Sequence, residues 1–233
     1  MNDDVYDRYK GYDKVFTKRH LKYPFVNSIK KLLYRCVKGN VLDIGTGDGY
    51  KLHHILSDNQ VAQRVTSVTV TEPSQLLNSA RRQLSDKNVT FFPLGYKDFF
   101  SRNKTRFDTI IAFEIIEHIE DQEEFLENIK NSLTSDGVFI CSTPNHVIYQ
   151  LLCKISKEKP DPTHVSELTA GELKRKIRMY FRHTAFKGFF PFMGLFQKIP
   201  QFDIINYLYP LSLSRTIYCL ASESSLRLRA TTE

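Results

Sequence analysis

The sequence predicts an α/β protein built on a doubly wound sheet of mostly parallel strands, and three observations carry that prediction. Residues 41–50, Val-Leu-Asp-Ile-Gly-Thr-Gly-Asp-Gly-Tyr, run an apolar strand into a loop with glycine at every second position. A helical pattern, Tyr50-Lys-Leu-His-His-Ile-Leu, follows at once. Strand, glycine loop and helix form the first unit of a fold that takes nucleotide-type ligands. Strands and helices then alternate five times, which implies parallel strands covered on both faces.

The elements follow in order. Residues 24–36 have helical periodicity ahead of the first strand. Residues 65–71 form a β-branched strand, and 74–84 a helix opened by Pro-Ser. Residues 89–93 are a strand, with a short helical turn near 97–102. Residues 107–113 are strongly apolar, and 122–133 form an amphipathic helix closed by Ser-Asp-Gly at 135–137. A buried strand is predicted at 138–142. Beyond Ser142 the regularity breaks. An apolar-plus-lysine segment at 147–159 precedes Pro160-Asp-Pro-Thr-His and a helix near 168–180. Strand candidates at 183–190 and 215–221 flank an aromatic, Pro- and Gly-containing stretch.

With 233 residues the chain has enough length for one good core and no obvious room for a second complete domain. Apolar content of 41% and charged content of 25% fit a globular protein, and no apolar run approaches the ~20 residues of a membrane span. The polar, acidic start is not expected to act as a secretory leader. Cys36, Cys141, Cys153 and Cys219 are scattered without a C-x-x-C pair, so reduced core thiols and a cytoplasmic location are expected. The net charge of +7 is uneven. Residues 8–38 hold ten Lys/Arg against Asp13, and residues 172–198 hold seven against Glu172. Such segments are either solvated helix faces or a basic rim for an anionic substrate, an acidic membrane or nucleic acid.

Spacing narrows the ligand. A dinucleotide fingerprint needs a third glycine at position 50, where Tyr50 stands. The pattern Asp-x-Gly-x-Gly-x-Gly instead resembles the first motif of class I S-adenosylmethionine (SAM) methyltransferases. Ligands in such sheets bind outside the carboxyl ends of the strands, so the acid for the ribose hydroxyls should end the second strand. Glu72 does so in Val-Thr-Val-Thr-Glu, although an acid there also suits a helix dipole. The resemblance places Asp43, Gly45, Thr46, Gly47, Gly49 and Glu72 around the cofactor, with Phe113 and Glu114 flanking its methionine portion. Family members often have Gly-Asp after the third strand, where this chain has Gly95-Tyr96. Tyr96 stacking on adenine, or Asp98 reaching it, would replace that contact.

The second signal is Phe113-Glu-Ile-Ile-Glu-His-Ile-Glu-Asp. Glu114, Glu117 and His118 stand at i, i+3 and i+4, so one helical turn would gather them on one face. This segment resembles the Glu-x-x-Glu-His motif of several O-methyltransferases. Ser142-Thr-Pro-Asn and Thr163-His-Val-Ser-Glu-Leu-Thr-Ala-Gly-Glu-Leu resemble the ubiquinone-biosynthesis O-methyltransferase group, and the likeness spans about residues 40–175. It implies a seven-stranded, mostly parallel sheet with an antiparallel last strand. The expected division of the chain is an N-terminal helical lid or cap at 1–39 and a SAM-binding domain at 40–233, with 145–167 and 189–212 as acceptor-side insertions that depart from the common core.

Two mechanisms fit those residues. In one, His118 is the general base for an acceptor hydroxyl, with Glu117 and His164 as its catalytic neighbours. In the other, Glu114, Glu117, His118 and His164 bind a divalent cation that orients and acidifies the acceptor. Manganese, iron or zinc suits that ligand set better than magnesium. A structural alternative has Glu117 capping a helix and His118 packing beneath the cofactor.

The expected acceptor is a small molecule, whether anionic, glycan or lipid-linked. Tyr6, Tyr9, Tyr12, Phe16, Arg19 and His20 are candidates for a lid. The 146–159 segment, together with the aromatic stretch after Gly188, is a candidate for contact with an anionic inner membrane surface. Two further readings stand beside this one: 2′-O-methylation of an RNA 3′ end, and a non-catalytic SAM-binding protein. The segment after Asn145 lacks an Arg- and His-rich signature and a stacking-and-basic RNA module, which disfavours nucleic acid. Oligomeric state has no sequence signal.

Overall fold

Period-two alternation along the strands decides where the core lies. The computed structural model describes residues 35–189 and 211–224. Seven strands form one sheet: β1 (Gly39–Ile44), β2 (Val65–Thr71), β3 (Val89–Phe92), β4 (Phe107–Phe113), β5 (Leu133–Pro144), β6 (His183–Phe189) and β7 (Thr216–Ser222). Leu42 and Ile44 of β1, Ile110 and Ala112 of β4, and Phe139 and Cys141 of β5 enter one buried cluster. Val41, Ile111, Phe113, Val138 and Ile140 enter the other. Both faces are therefore apolar, as parallel strands covered on both sides require.

Helices cover each face. On one side lie α1 (Tyr50–Leu56), α2 (Asn59–Ala62) and α3 (Leu76–Gln83), which contribute Leu52, Ile55, Val61 and Leu77. On the other lie α4 (Tyr96–Arg102), α5 (Gln122–Ser132) and α7 (Ala170–Tyr180), contributing Phe99, Phe125, Ile129, Leu173 and Ile177. Helix α6 (His146–Ser156) leaves the end of β5. Thr169 and Glu172 start α7 with a reciprocal capping box, Thr169 accepting from the Glu172 amide and Glu172 from the Thr169 amide.

The spatial order is β3-β2-β1-β4-β5-β7-β6. β1 pairs in parallel with β2 and β4, so strand order reverses beside β1 and opens a crevice at its carboxyl end. β7 runs antiparallel to both β5 and β6, matching the expected antiparallel last strand. β5 starts earlier and ends later than the 138–142 expected from sequence. Leu133 already pairs with Phe107, then the register shifts so that Val138 faces Thr109. Asn145 at its end is 1% exposed and donates to the Ser212 and Ser214 carbonyls at 2.9 and 3.0 Å, tying the 211–214 turn to β5.

All four cysteines are buried and unbridged, as read from their spacing. No helix among the described residues is long and apolar enough to cross a membrane. The expected lid at 1–39 lies outside the described residues up to position 34, as do 190–210 within the second insertion and its aromatic run.

Phe139 is fully buried, with its ring 6.5 Å from Phe125 and 5.9 Å from Phe181. Phe139→Ala should lower the unfolding free energy by about 3–5 kcal/mol. Urea denaturation followed by circular dichroism measures this, and a loss under about 1 kcal/mol would contradict the packing described.

Candidate functional site

The glycine loop leaves β1 with Gly45, Gly47 and Gly49 all at positive φ. At Gly45 (φ +66°) a Cβ would fall 2.2 Å from Ile115 Cδ1, so glycine lets the loop adopt its left-handed backbone against the turn after β4 without displacing that side chain. At Gly47 (φ +59°) a Cβ would meet nothing within 4 Å, so the apex of the loop is open. Glu72 follows β2 and is 7% exposed. It accepts from the Gly47 amide at 3.0 Å through one oxygen and from the Ser74 amide at 2.9 Å through the other. Each oxygen keeps a lone pair for a further donor, which suits a vicinal diol.

Asp43 lies in β1 and is 5% exposed. Burial pushes its carboxyl up to about 7, with the Thr46 hydroxyl and the Lys51 charge opposing and Glu72 reinforcing the shift. Lys51, from α1, also lies over the Phe113 ring, 5.6 Å from its centroid. Phe113 ends β4 and meets Tyr218 edge-on at 6.1 Å. Tyr96 opens α4, where its ring packs edge-on against Phe125 at 5.1 Å.

The turn after β4 departs from the expected helix. Glu114 takes a left-handed φ of 58°, uncommon for a residue with a side chain. Its amide donates to the Ser142 carbonyl at 2.9 Å, and its carboxylate accepts from the Ser142 hydroxyl at 2.5 Å. Only Ile116–His118 then form a 3₁₀ turn. Glu114 therefore points to β5 rather than sharing a helical face with Glu117 and His118, and the i, i+3, i+4 reading fails for this residue.

Glu117, His118 and His164 do come together: one ligating atom from each lies within 4.8 Å of the others, and Glu114 is not in that group. Glu117 is fully buried. One oxygen accepts from the Thr143 hydroxyl at 2.9 Å, while Oε1 has no hydrogen-bond partner. Burial, reinforced by the nearby Glu114 charge, raises the Glu117 carboxyl well above the usual carboxylate range. His118 Nδ1 lies 2.9 Å from the Thr163 carbonyl, which can only accept, so Nδ1 carries the proton and Nε2 is the basic nitrogen. Burial lowers its pKa, with the Thr163 carbonyl opposing, so the ring is neutral near pH 7.

An outer layer holds this group. His164 Nδ1 lies 2.8 Å from Glu167 Oε1, while His146 Nδ1 and Gln150 Nε2 lie 2.5 and 3.0 Å from Oε2. Burial would raise the Glu167 carboxyl, but these bonds from Gln150, His146 and His164 outweigh it and hold it below the ordinary value. An ionised carboxylate only accepts, so both imidazoles donate to it. Asp161 accepts from the Thr163 amide and hydroxyl, and the Tyr149 hydroxyl accepts from the Asp161 amide.

Sequence reasoning named the inner group but missed Lys51, Thr143, Glu167 and His146. Two of these had a local signal: Glu167 lies three residues after His164 in the Thr-His segment, and Thr143 lies in Ser142-Thr-Pro-Asn.

A family model for a methyltransferase domain matches residues 17–180. A probable S-adenosylmethionine-dependent methyltransferase of Mycolicibacterium smegmatis is 30% identical over 148 residues, 62% of this chain and 52% of that protein. A ubiquinone biosynthesis O-methyltransferase of Glaesserella parasuis is 27% identical over 111 residues, 45% of each chain. The solved plantazolicin methyltransferase BpumL in complex with SAH shares the fold, with a TM-score of 0.61 at 16% identity, covering 96% of this chain and 92% of that one. The chain spans about half the length of the first curated relatives it matches.

Asp43 gives the site a measurable pH signature. Its folded-state pKa of about 7 lies above the ordinary value of 3.8, so the folded protein retains a proton that the unfolded chain releases. The resulting stability is complete below pH 3.8 and is lost as pH rises through about 7. Asp43→Asn should flatten that part of the profile and raise the unfolding midpoint at pH 8, measured by scanning calorimetry. A variant with the wild-type pH profile would contradict the assignment.

Proposed function

The chain belongs to the methyltransferase-domain family, and on that premise we propose that it transfers the methyl group of S-adenosylmethionine to a hydroxyl oxygen of a small-molecule acceptor. The observation that carries the choice of oxygen is the Glu117–His118–His164 group at the turn after β4. It lies beside the glycine loop, because Ile115 packs where a Gly45 side chain would be. SAM supplies an activated sulfonium methyl group, so the protein's work is alignment and removal of one proton.

The residues fit both tasks. Gly47 leaves the loop apex open, and Glu72 has acceptor capacity left for the ribose hydroxyls. Asp43, desolvated and raised toward neutrality, suits the cationic methionine amine, which would restore its charge. Neutral His118, with Nδ1 committed to Thr163, presents Nε2 as general base for the acceptor hydroxyl.

The same group fits a divalent cation. The buried Glu117 Oε1 lacks a partner, and both histidines have their Nδ1 atoms committed to acceptors. Glu117, His118 and His164 would hold the ion, which would supply orientation and acidification of the acceptor hydroxyl. The ligand types favour manganese, iron or zinc.

A lipid-linked acceptor has support from α6. Val147, Leu151 and Ile155 recur every fourth residue and are 53%, 49% and 64% exposed, with Lys154, Lys157 and Lys159 nearby. This basic, apolar face suits peripheral contact with an anionic membrane.

Calorimetry should detect SAM and S-adenosylhomocysteine binding by the wild type, and Glu72→Ala should weaken it by about tenfold or more. Absence of binding in the wild type would overturn the proposal. His118→Ala should lower methyl transfer from labelled SAM by about 10²–10⁴-fold with cofactor affinity retained. Unchanged turnover would remove His118 from the chemistry. Chelation that abolishes transfer, reversed by Mn²⁺, supports the cation; activity indifferent to chelator and added metal removes it.

A further inference from the structure

We infer that Glu167 is a positioning residue that fixes the tautomer and orientation of His164 and fastens the acceptor-side helix α6 to the Glu117–His118–His164 group. The inference deepens the proposed cation site and rests on that reading for its binding consequence, but not for its geometry. The Glu167 side chain is 7% exposed, and donors from three residues converge on it. One oxygen takes the His164 Nδ1–H at 2.8 Å, which leaves the lone pair on Nε2. The other takes His146 Nδ1–H at 2.5 Å and Gln150 at 3.0 Å, from the first turn and a half of α6.

The bonds make one rigid unit. His146 opens α6 directly after the Asn145 clamp, and its amide donates to the Leu168 carbonyl at 3.0 Å. Glu167 therefore joins the start of α6 to the loop carrying His164 by side-chain and backbone bonds on adjacent residues. The His164 ring also lies 5.0 Å from Tyr149 and 4.9 Å edge-on from His118. Packing limits where the ring can go, but it does not choose which nitrogen faces the inner group. The bond to Glu167 does. A carboxylate on the far nitrogen of a ligating histidine also makes the near nitrogen a better donor to a metal.

Long-range ¹H–¹⁵N spectra of the imidazoles in the full-length wild type should show His164 as the Nδ1–H tautomer. Finding Nε2–H there overturns the inference before any variant is made. In Glu167→Ala, His164 should shift toward Nε2–H, and the dissociation constant for Mn²⁺, measured by calorimetry without SAM, should rise about 10–100-fold. Wild-type tautomer together with wild-type Mn²⁺ affinity in that variant overturns the inference. Should the alanine variant not fold, Glu167→Leu, which removes both acceptor oxygens at similar volume, should shift the tautomer and the Mn²⁺ affinity in the same direction, and wild-type values there overturn the inference. A wild type that binds no Mn²⁺ yet loses the tautomer in Glu167→Ala removes the cation reading and leaves the positioning role standing.

Discussion

Desolvation of three carboxyl groups beside the central strands is the constraint around which the site is organised. Asp43, Glu72 and Glu117 are 5%, 7% and 0% exposed. Burying an acid without a partner costs several kcal/mol, and apolar residues of similar volume would generally be more stable there. Each acid is compensated to a different degree. Glu72 has a backbone amide on each oxygen, Asp43 has the nearby Lys51 charge, and Glu117 has a single hydroxyl. Such incompletely compensated carboxyl groups, gathered where strand order reverses, are a load on stability that binding a ligand would relieve.

The sheet dictates where that load falls. Asp43 alternates with Leu42 and Ile44, so it shares a face with Val41 and meets the α1–α3 side of the molecule. That face brings Lys51 and Phe113 to it. The turn after β4 is set by strain of about 1–3 kcal/mol at Glu114, whose left-handed backbone is held by two bonds to Ser142 at the end of the adjacent strand. Beyond Glu114 the short 3₁₀ turn points Glu117 at Thr143 and His118 at Thr163. Both strands must end in register for this, and β4 and β5 pair through Phe113 and Ser142.

Local features were the legible ones. The glycine loop, Glu72 and the alternating strands announce themselves within a few residues, because turn conformation and period-two burial are short-range effects. The seven strands were legible as apolar or β-branched runs, whereas the antiparallel closing strand came with the family resemblance rather than from periodicity. The early start of β5 was hidden because Ser-Asp-Gly reads as a turn, whereas in the sheet it falls where the register shifts. The i, i+4 reading of Glu114 and His118 assumed α-helical backbone, and no residue type there signals a positive φ as glycine would. Contacts across 45 residues, such as His118 with Thr163, are set by topology and have no local trace.

Two acids beside His164 show how environment assigns role. Glu117 is enclosed, has one oxygen without a partner and is pushed toward its neutral form by burial and by Glu114. Glu167 is nearly as enclosed, yet three donors keep it ionised. An ionised acid already satisfied by imidazole and amide donors has little left to offer a ligand, and its useful effect is on the rings it holds. An acid with an empty acceptor position gains most from a positive charge or a donor brought from outside. His164 stands between them, with one nitrogen committed to Glu167 and the other facing the inner group. On the proposed reading the pair would divide the labour: the satisfied acid would set geometry, and the unsatisfied one would supply the drive to bind.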